Sequence, residues 1–191
     1  MSVLTWFKQN FLEPILQRIK AYIIDKQDFA ILAGYFRYGY DRVPLADQAR
    51  AQWIITMPND QWNAYLFSRT LSAFRAGGIE YRVYTDVTGL DVIGKTDIKR
   101  PPTNAQVTWQ RLDTLVPNLG SGNGTERDYT EIPRSGSGAQ AFGALLGSQD
   151  LRPQPTDQVF VVETYNNSGV QTNNEVTVYL TWAETPAGTL L

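Results

Sequence analysis

Residues 89–96 read Gly-Leu-Asp-Val-Ile-Gly-Lys-Thr and match the phosphate-loop pattern G-x-x-x-x-G-K-[ST] at every fixed position. In that motif the backbone N–H groups of a tight turn, and the N-terminus of the helix that follows, surround the phosphates of a nucleotide. The sequence leaves no room for that helix. Only Asp97-Ile98-Lys99-Arg100 separates Thr96 from Pro101-Pro102, and a residue before proline is pushed out of the α region. The segment is therefore expected to be an inter-strand loop without nucleotide chemistry. Glu163, which could be nominated as the acidic partner of a Mg²⁺ ion, reads as an ordinary strand carboxylate.

Other chemistry is equally constrained. The chain has no cysteine and no histidine, which removes thiolate nucleophiles, imidazole bases, histidine-dependent triads and Cys/His zinc sites. Glycoside hydrolysis needs two carboxyl groups facing each other across a cleft, roughly 5 to 9.5 Å apart. Asp86, Asp91 and Asp97 fall in one expected hairpin loop, where solvated carboxylates are the simpler reading. The chain is read as non-enzymatic, with no catalytic residue, no cofactor and no metal site.

Aromatic residues offer binding rather than catalysis. Trp53, Trp109 and Trp182 fall on the apolar phase of their strands and belong to a core, whereas Trp62, near a turn, and Tyr65 are expected to be exposed. A second aromatic group, Tyr35, Phe36, Tyr38 and Tyr40, lies among Gly34 and Gly39 and is a candidate interface, because tyrosine is enriched where surfaces meet.

These residues must be positioned by regular elements. In residues 3–24, Leu4, Phe7, Phe11, Ile15, Ile19, Tyr22 and Ile23 recur at spacings of three and four, which predicts an amphipathic helix. Pro14 is expected to kink it or to start a new helix. This stripe is the candidate docking surface for a partner. Lys8, Glu13, Arg18 and Lys20 interrupt its hydrophobicity, so no apolar span of transmembrane length exists, and its polar face is not basic enough for a membrane surface. No secretory signal pattern is present, and a chain used as translated is expected.

From residue 51 the period changes to two. Trp53, Ile55 and Met57 alternate with polar residues, as do Ile79, Tyr81 and Val83, then Val107 and Trp109, then Val176, Val178, Leu180 and Trp182. Val159 to Tyr165 reads as a buried, continuously apolar strand. Turn signals at Pro58-Asn59-Asp60, Gly77-Gly78 and Asn166-Asn167-Ser168-Gly169 separate the strands. Without long intervening helices, this predicts a mainly β chain: an antiparallel, jelly-roll-like β-sandwich with an N-terminal helical arm. The expected organisation is an arm over 1–27, an aromatic connector over 28–50 and a sandwich domain over 51–191. Residues 115–147 hold seven of the fifteen glycines and are expected to be a long surface loop. With 42% apolar residues in 191, the core is sufficient for one domain. A formal net charge of −2 gives no global reason to expect nucleic acid as partner.

The order of these pieces resembles β-sandwich virion proteins of tailed bacteriophages, the head decoration or head-associated proteins, over roughly residues 50–184. The pieces are Arg50 to Pro58, ending in Thr-x-Pro; Tyr65-Leu-Phe-Ser-Arg-Thr-Leu-Ser; Gly78 to Asp86, leading into an acidic loop; and Gly94 to Arg100, a Gly-x-Thr loop with basic residues. A Gly-rich crossing follows, then Arg152 to Val162 and the terminal pattern x-Val-x-Val-x-Leu-x-Trp over Glu175 to Trp182. Phe142-Gly-Ala-Leu-Leu-Gly stands where relatives often carry a Gly-Arg-rich segment, and the N-terminal arm has no counterpart. The resemblance implies a structural protein located on the virion, at the capsid surface, vertex or neck. It implies a homo-oligomer whose partners are the major capsid protein or portal and neck proteins. A carbohydrate-binding or receptor-binding β-sandwich module is the alternative.

Overall fold

The computed structural model describes residues 30–74, 77–101, 103–134, 140–144, 154–169 and 174–189. The predicted arm over 1–27, with all seven residues of its apolar stripe, lies outside them. Within the described residues the chain is mainly β. Its strands are β1 (Phe36–Leu45), β2 (Arg50–Thr56), β3 (Trp62–Ala73), β4 (Ile79–Thr85), β5 (Lys95–Asp97), β6 (Thr108–Leu112), β7 (Thr125–Ile132), β8 (Gln140–Ala144), β9 (Val159–Asn166) and β10 (Asn174–Pro186). They form two antiparallel sheets, one ordered β1-β10-β3-β8 and the other β5-β6-β2-β9-β4-β7. The first four strands of the chain alternate between the sheets, and so do the last four.

The period-two pattern decides which face of each strand is buried. Val176, Val178, Leu180 and Trp182 of β10 point inward with Val43, Leu45 and Leu71, and meet Trp53, Ile55, Tyr81, Val83, Trp109 and Val162 of the other sheet in one core. Register follows from this pattern: Val178 lies opposite Leu71, and Val162 lies between Trp53 and Val83. A slip of one residue would turn the apolar set to water. The inward positions expected for Trp53, Trp109 and Trp182 are the observed ones, each almost fully buried.

The six-stranded sheet is covered on its outer side as well. Ile54, Tyr84 and Val161 pack there against Leu90, Leu112 and Val116. This second layer explains why β9 is apolar on both phases, since a strand buried on two faces needs no alternation. The cover comes from the loops 87–94 and 113–124. Gly120 has φ +73, and a Cβ there would sit 3.3 Å from the Tyr84 ring, so the loop can lie this close only because the residue is glycine.

Three expectations change. Residues 28–50 are not only a connector, because Phe36–Leu45 is a full strand, hydrogen-bonded along its length to β10. The sheet therefore begins at residue 36 rather than 51. Aromatic residues on the open phase and Gly39 on the inner phase hid the alternation. The Gly-rich stretch 115–147 is not one loop: it contains β7 and β8, and its first part packs onto the sheet. β7 reads as polar because it is an edge strand, paired only with β4. Its charges are those expected where free strand edges must not pair with other chains.

Candidate interaction surface

The phosphate-loop match resolves into a loop with one turn, at 91–92, and the start of a strand. Lys95 opens β5, which pairs antiparallel with β6 through Lys95 opposite Leu112 and Thr96 opposite Arg111. The Thr96 hydroxyl donates to Asp113 Oδ1 at 2.5 Å, and the Asp113 N–H donates to the Gly94 carbonyl at 2.9 Å. The Thr96 hydroxyl that would serve a metal ion is thus engaged by a carboxylate, and no helix N-terminus follows the lysine.

Among the described residues three carboxylates are buried, and each is enclosed by structural hydrogen bonds. Asp41 accepts from Trp53 Nε1 at 2.8 Å and from the Lys99 N–H at 3.0 Å, with Arg111 3.3 Å away. Glu163 accepts from Arg50 at 2.5 Å and Gln52 Nε2 at 2.7 Å. Glu184 accepts from the N–H groups of Gln106 and Val107 and from Trp182 Nε1, all at 2.8 Å. Asp41 and Glu184 tie loops to the sheets, and Glu163 ties β9 to β2. Among the described residues no cluster of three or more acidic, histidine or cysteine side chains could hold a metal ion.

The candidate interface aromatics separate into two groups. Tyr35 and Phe36 pack against Ala30, Tyr65, Phe67 and Ala183, and the Phe36 and Phe67 rings stack with centroids 6.2 Å apart. They are packing residues at the place where the chain enters the four-stranded sheet. Tyr65, expected to be exposed, is buried in this cluster, and Trp62 is half-buried.

Tyr38 and Tyr40 lie further along β1 on the outer face of the same sheet. Tyr40 stacks on Tyr179 of β10, centroids 5.1 Å apart and planes 20° from parallel. Tyr38 lies under the Arg100 guanidinium, 4.6 Å from its ring centre, which is a cation–π contact. Tyr38 and Tyr179 are 37% and 39% exposed. Around them the same face carries Thr70, Thr177 and Thr181, with the Ser68 and Thr181 hydroxyls bonded to each other at 2.6 Å. The face is aromatic and hydroxyl-rich, with an arginine at its edge. The opposite outer face of the molecule has its loop cover; this one, between Tyr38 and Arg42, has none among the described residues.

Tyr179 and Arg100 were not singled out in the sequence. Tyr179 occupies the polar phase of β10, and only its pairing opposite Tyr40 reveals the aromatic pair. Arg100 reaches the face because residues 100 and 40 exchange backbone hydrogen bonds across the edge of β1.

The space between the two sheets opens to solvent on one side. A cavity of about 520 Å³ lies between them, with Leu180 and Trp182 on one wall and Val162 and Phe160 on the other, bordered by Arg69 and Asp128. Arg69 pairs with Asp128, linking β3 of one sheet to β7 of the other. No family model matches the chain, and no curated protein is significantly similar to it.

Proposed function

We propose that this chain is a structural virion protein of a tailed bacteriophage, decorating or stabilising the capsid through protein–protein contacts, and that it performs no catalysis. The observation that carries this reading is the open aromatic face of the four-stranded sheet. Tyr38, Tyr40 and Tyr179 offer large, rigid, amphipathic rings, and Tyr and Arg are the residues that protein interfaces favour. The strand order supports it. Setting aside β5 and β6, the sheets read β1-β10-β3-β8 and β2-β9-β4-β7, the order of an eight-stranded jelly roll. Jelly rolls build viral capsid and lectin domains. The fold alone does not decide between such functions.

On this reading the face between Tyr38 and Arg42 meets the major capsid protein, a portal or neck protein, or a second copy of the chain. The apolar stripe from Leu4 to Ile23 adds a further anchor. The lectin-like alternative loses two of its aromatic candidates, because Tyr65 is buried and Trp62 half-buried.

The test is a count of copies per particle by mass spectrometry of purified virions, for the parent and for the triple variant Tyr38→Ser, Tyr40→Ser, Tyr179→Ser. The expected outcome is a fixed copy number for the parent and loss of the variant from particles with an unchanged melting temperature. Absence of the parent from virions, or incorporation of the variant at the parent's level, overturns the reading. Saturable binding of an oligosaccharide to the same face would transfer it to the lectin-like alternative.

A further inference from the structure

A half-open cleft of about 520 Å³ lies between the two sheets. Its size lies within the roughly 300–1,000 Å³ of small-molecule sites, which are mostly apolar with a few placed polar groups. Ile55, Val83, Phe160 and Val162 form the wall on the six-stranded sheet, and Leu180 and Trp182 the wall on the other. The cleft's polar and charged lining residues are Arg69, Arg127, Asp128, Gln154 and Tyr81.

Arg69 sets the chemistry. Its side chain is only 11% exposed, its Nη2 pairs with Asp128, and its guanidinium lies 5.4 Å from the centre of the Tyr81 ring. Its Nε is buried and has no hydrogen-bond acceptor, a costly condition for a donor on a cation. Arg127 is already engaged: its Nε donates to the Thr85 hydroxyl at 2.8 Å and its Nη2 lies 3.5 Å from Asp86. Arg69 thus pairs with Asp128 through Nη2 and faces the Tyr81 phenol, while its Nε points without an acceptor beside the apolar walls.

We propose that this cavity binds a monoanionic amphiphile of the fatty-acid class. The acyl chain lies along the apolar walls, and one carboxylate oxygen accepts a hydrogen bond from Arg69 Nε while Asp128 keeps Nη2. Arg127, 55% exposed and paired with Asp86, lies at the rim and leaves Arg69 as the group that holds the head group. A polyhydroxylated ligand does not fit, because its hydroxyls would be desolvated against Leu180, Val162 and Phe160 without partners.

The experiment is calorimetric titration of the delipidated full-length chain with hexadecanoate and with hexadecanol, joined to quenching of tryptophan emission by dibromostearate. The expected result is saturable binding of one hexadecanoate per chain. Trp182→Phe should keep that binding and lose most of the quenching. Arg69→Gln should weaken hexadecanoate by about tenfold or more, as loss of a charge-assisted hydrogen bond implies, and leave hexadecanol unchanged. Should Arg69→Gln fail to fold, the parent's preference decides: an acid bound about tenfold tighter than the alcohol supports the site, and equal affinities overturn the role of Arg69. Absence of saturable hexadecanoate binding overturns the proposal. So does unchanged binding by a folded Val83→Trp variant, whose indole would fill the cavity.

Discussion

Trp182 joins two networks, since its ring lies in the inter-sheet core while its Nε1 donates to the buried Glu184. Trp182→Ala removes both the packing and one donor to a carboxylate, and is expected to cost about 3–5 kcal/mol in chemical denaturation. A variant as stable as the parent would contradict the buried position. Lys95, exposed at the start of β5, behaves differently. Lys95→Ala should change stability by no more than about 0.5 kcal/mol, and neither protein should show saturable ATP binding in calorimetry. Tyr81 gives the molecule a pH signature. Burial pushes its phenol up to about 12, with the Arg69 charge pulling the other way, against an unfolded value of about 10. In that interval the native state holds a proton that the unfolded state has released, so stability falls as pH rises. The contribution is fully present below pH 10 and is lost between about 10 and 12, amounting to roughly 2–3 kcal/mol. Thermal melts from pH 9 to 12 should show the decline, and Tyr81→Phe should lessen it, since Tyr84 and Tyr129 are raised as well.

At the scale of elements, β1 depends on one small residue. Gly39 faces inward, and a Cβ placed there would lie 3.1 Å from two atoms of the Trp109 ring and 3.1 Å from the Arg100 carbonyl oxygen. The close approach lets Arg100 exchange backbone hydrogen bonds with Tyr40 and so reach Tyr38. Gly39→Ala should therefore destabilise by about 1–3 kcal/mol through overpacking, measured by urea titration. The same substitution should change the near-ultraviolet circular dichroism of the Tyr38, Tyr40 and Tyr179 group. β7 depends instead on charge. Arg82 of β4 reaches Glu126 at 3.0 Å and stacks on the Tyr129 ring at 4.9 Å, so cross-strand polar pairs hold an edge strand that has little apolar surface to bury.

For the molecule as a whole, the described sheets close around their own core with β1 as a complete outer strand, and Ala30 is buried against Tyr65, Phe67 and Ala183. Removal of residues 1–27 keeps these contacts. The truncated chain should remain soluble and melt cooperatively, while its association with particles should fall if the Leu4 to Ile23 stripe is the anchor. A truncated chain that cannot fold would assign that stripe to the protein's own core. One that still joins particles at the parent's level would place the whole docking surface on the sheet face.

The sequence by itself determined what repeats at short range. Alternation over Val176 to Trp182 and Ile79 to Val83 specified strands and their buried faces, because side-chain direction in a strand has period two. The prolines after Arg100 excluded a phosphate-binding helix for the same local reason. What required the tertiary structure was every feature made by residues distant in the chain. β1 and β7 lacked a legible apolar phase because one carries aromatics outward and the other is a charged edge. The second layer formed by Val116 and Leu90, and the buried state of Tyr65, follow from which loop folds over which sheet. The aromatic face exists because strand order places Tyr40 beside Tyr179, 139 positions away in the chain. Likewise the cleft's polar border exists because Arg69 on β3 meets Asp128 on β7 across two sheets. Local periodicity fixes the direction of a side chain, but only the long-range pairing of strands fixes its neighbours.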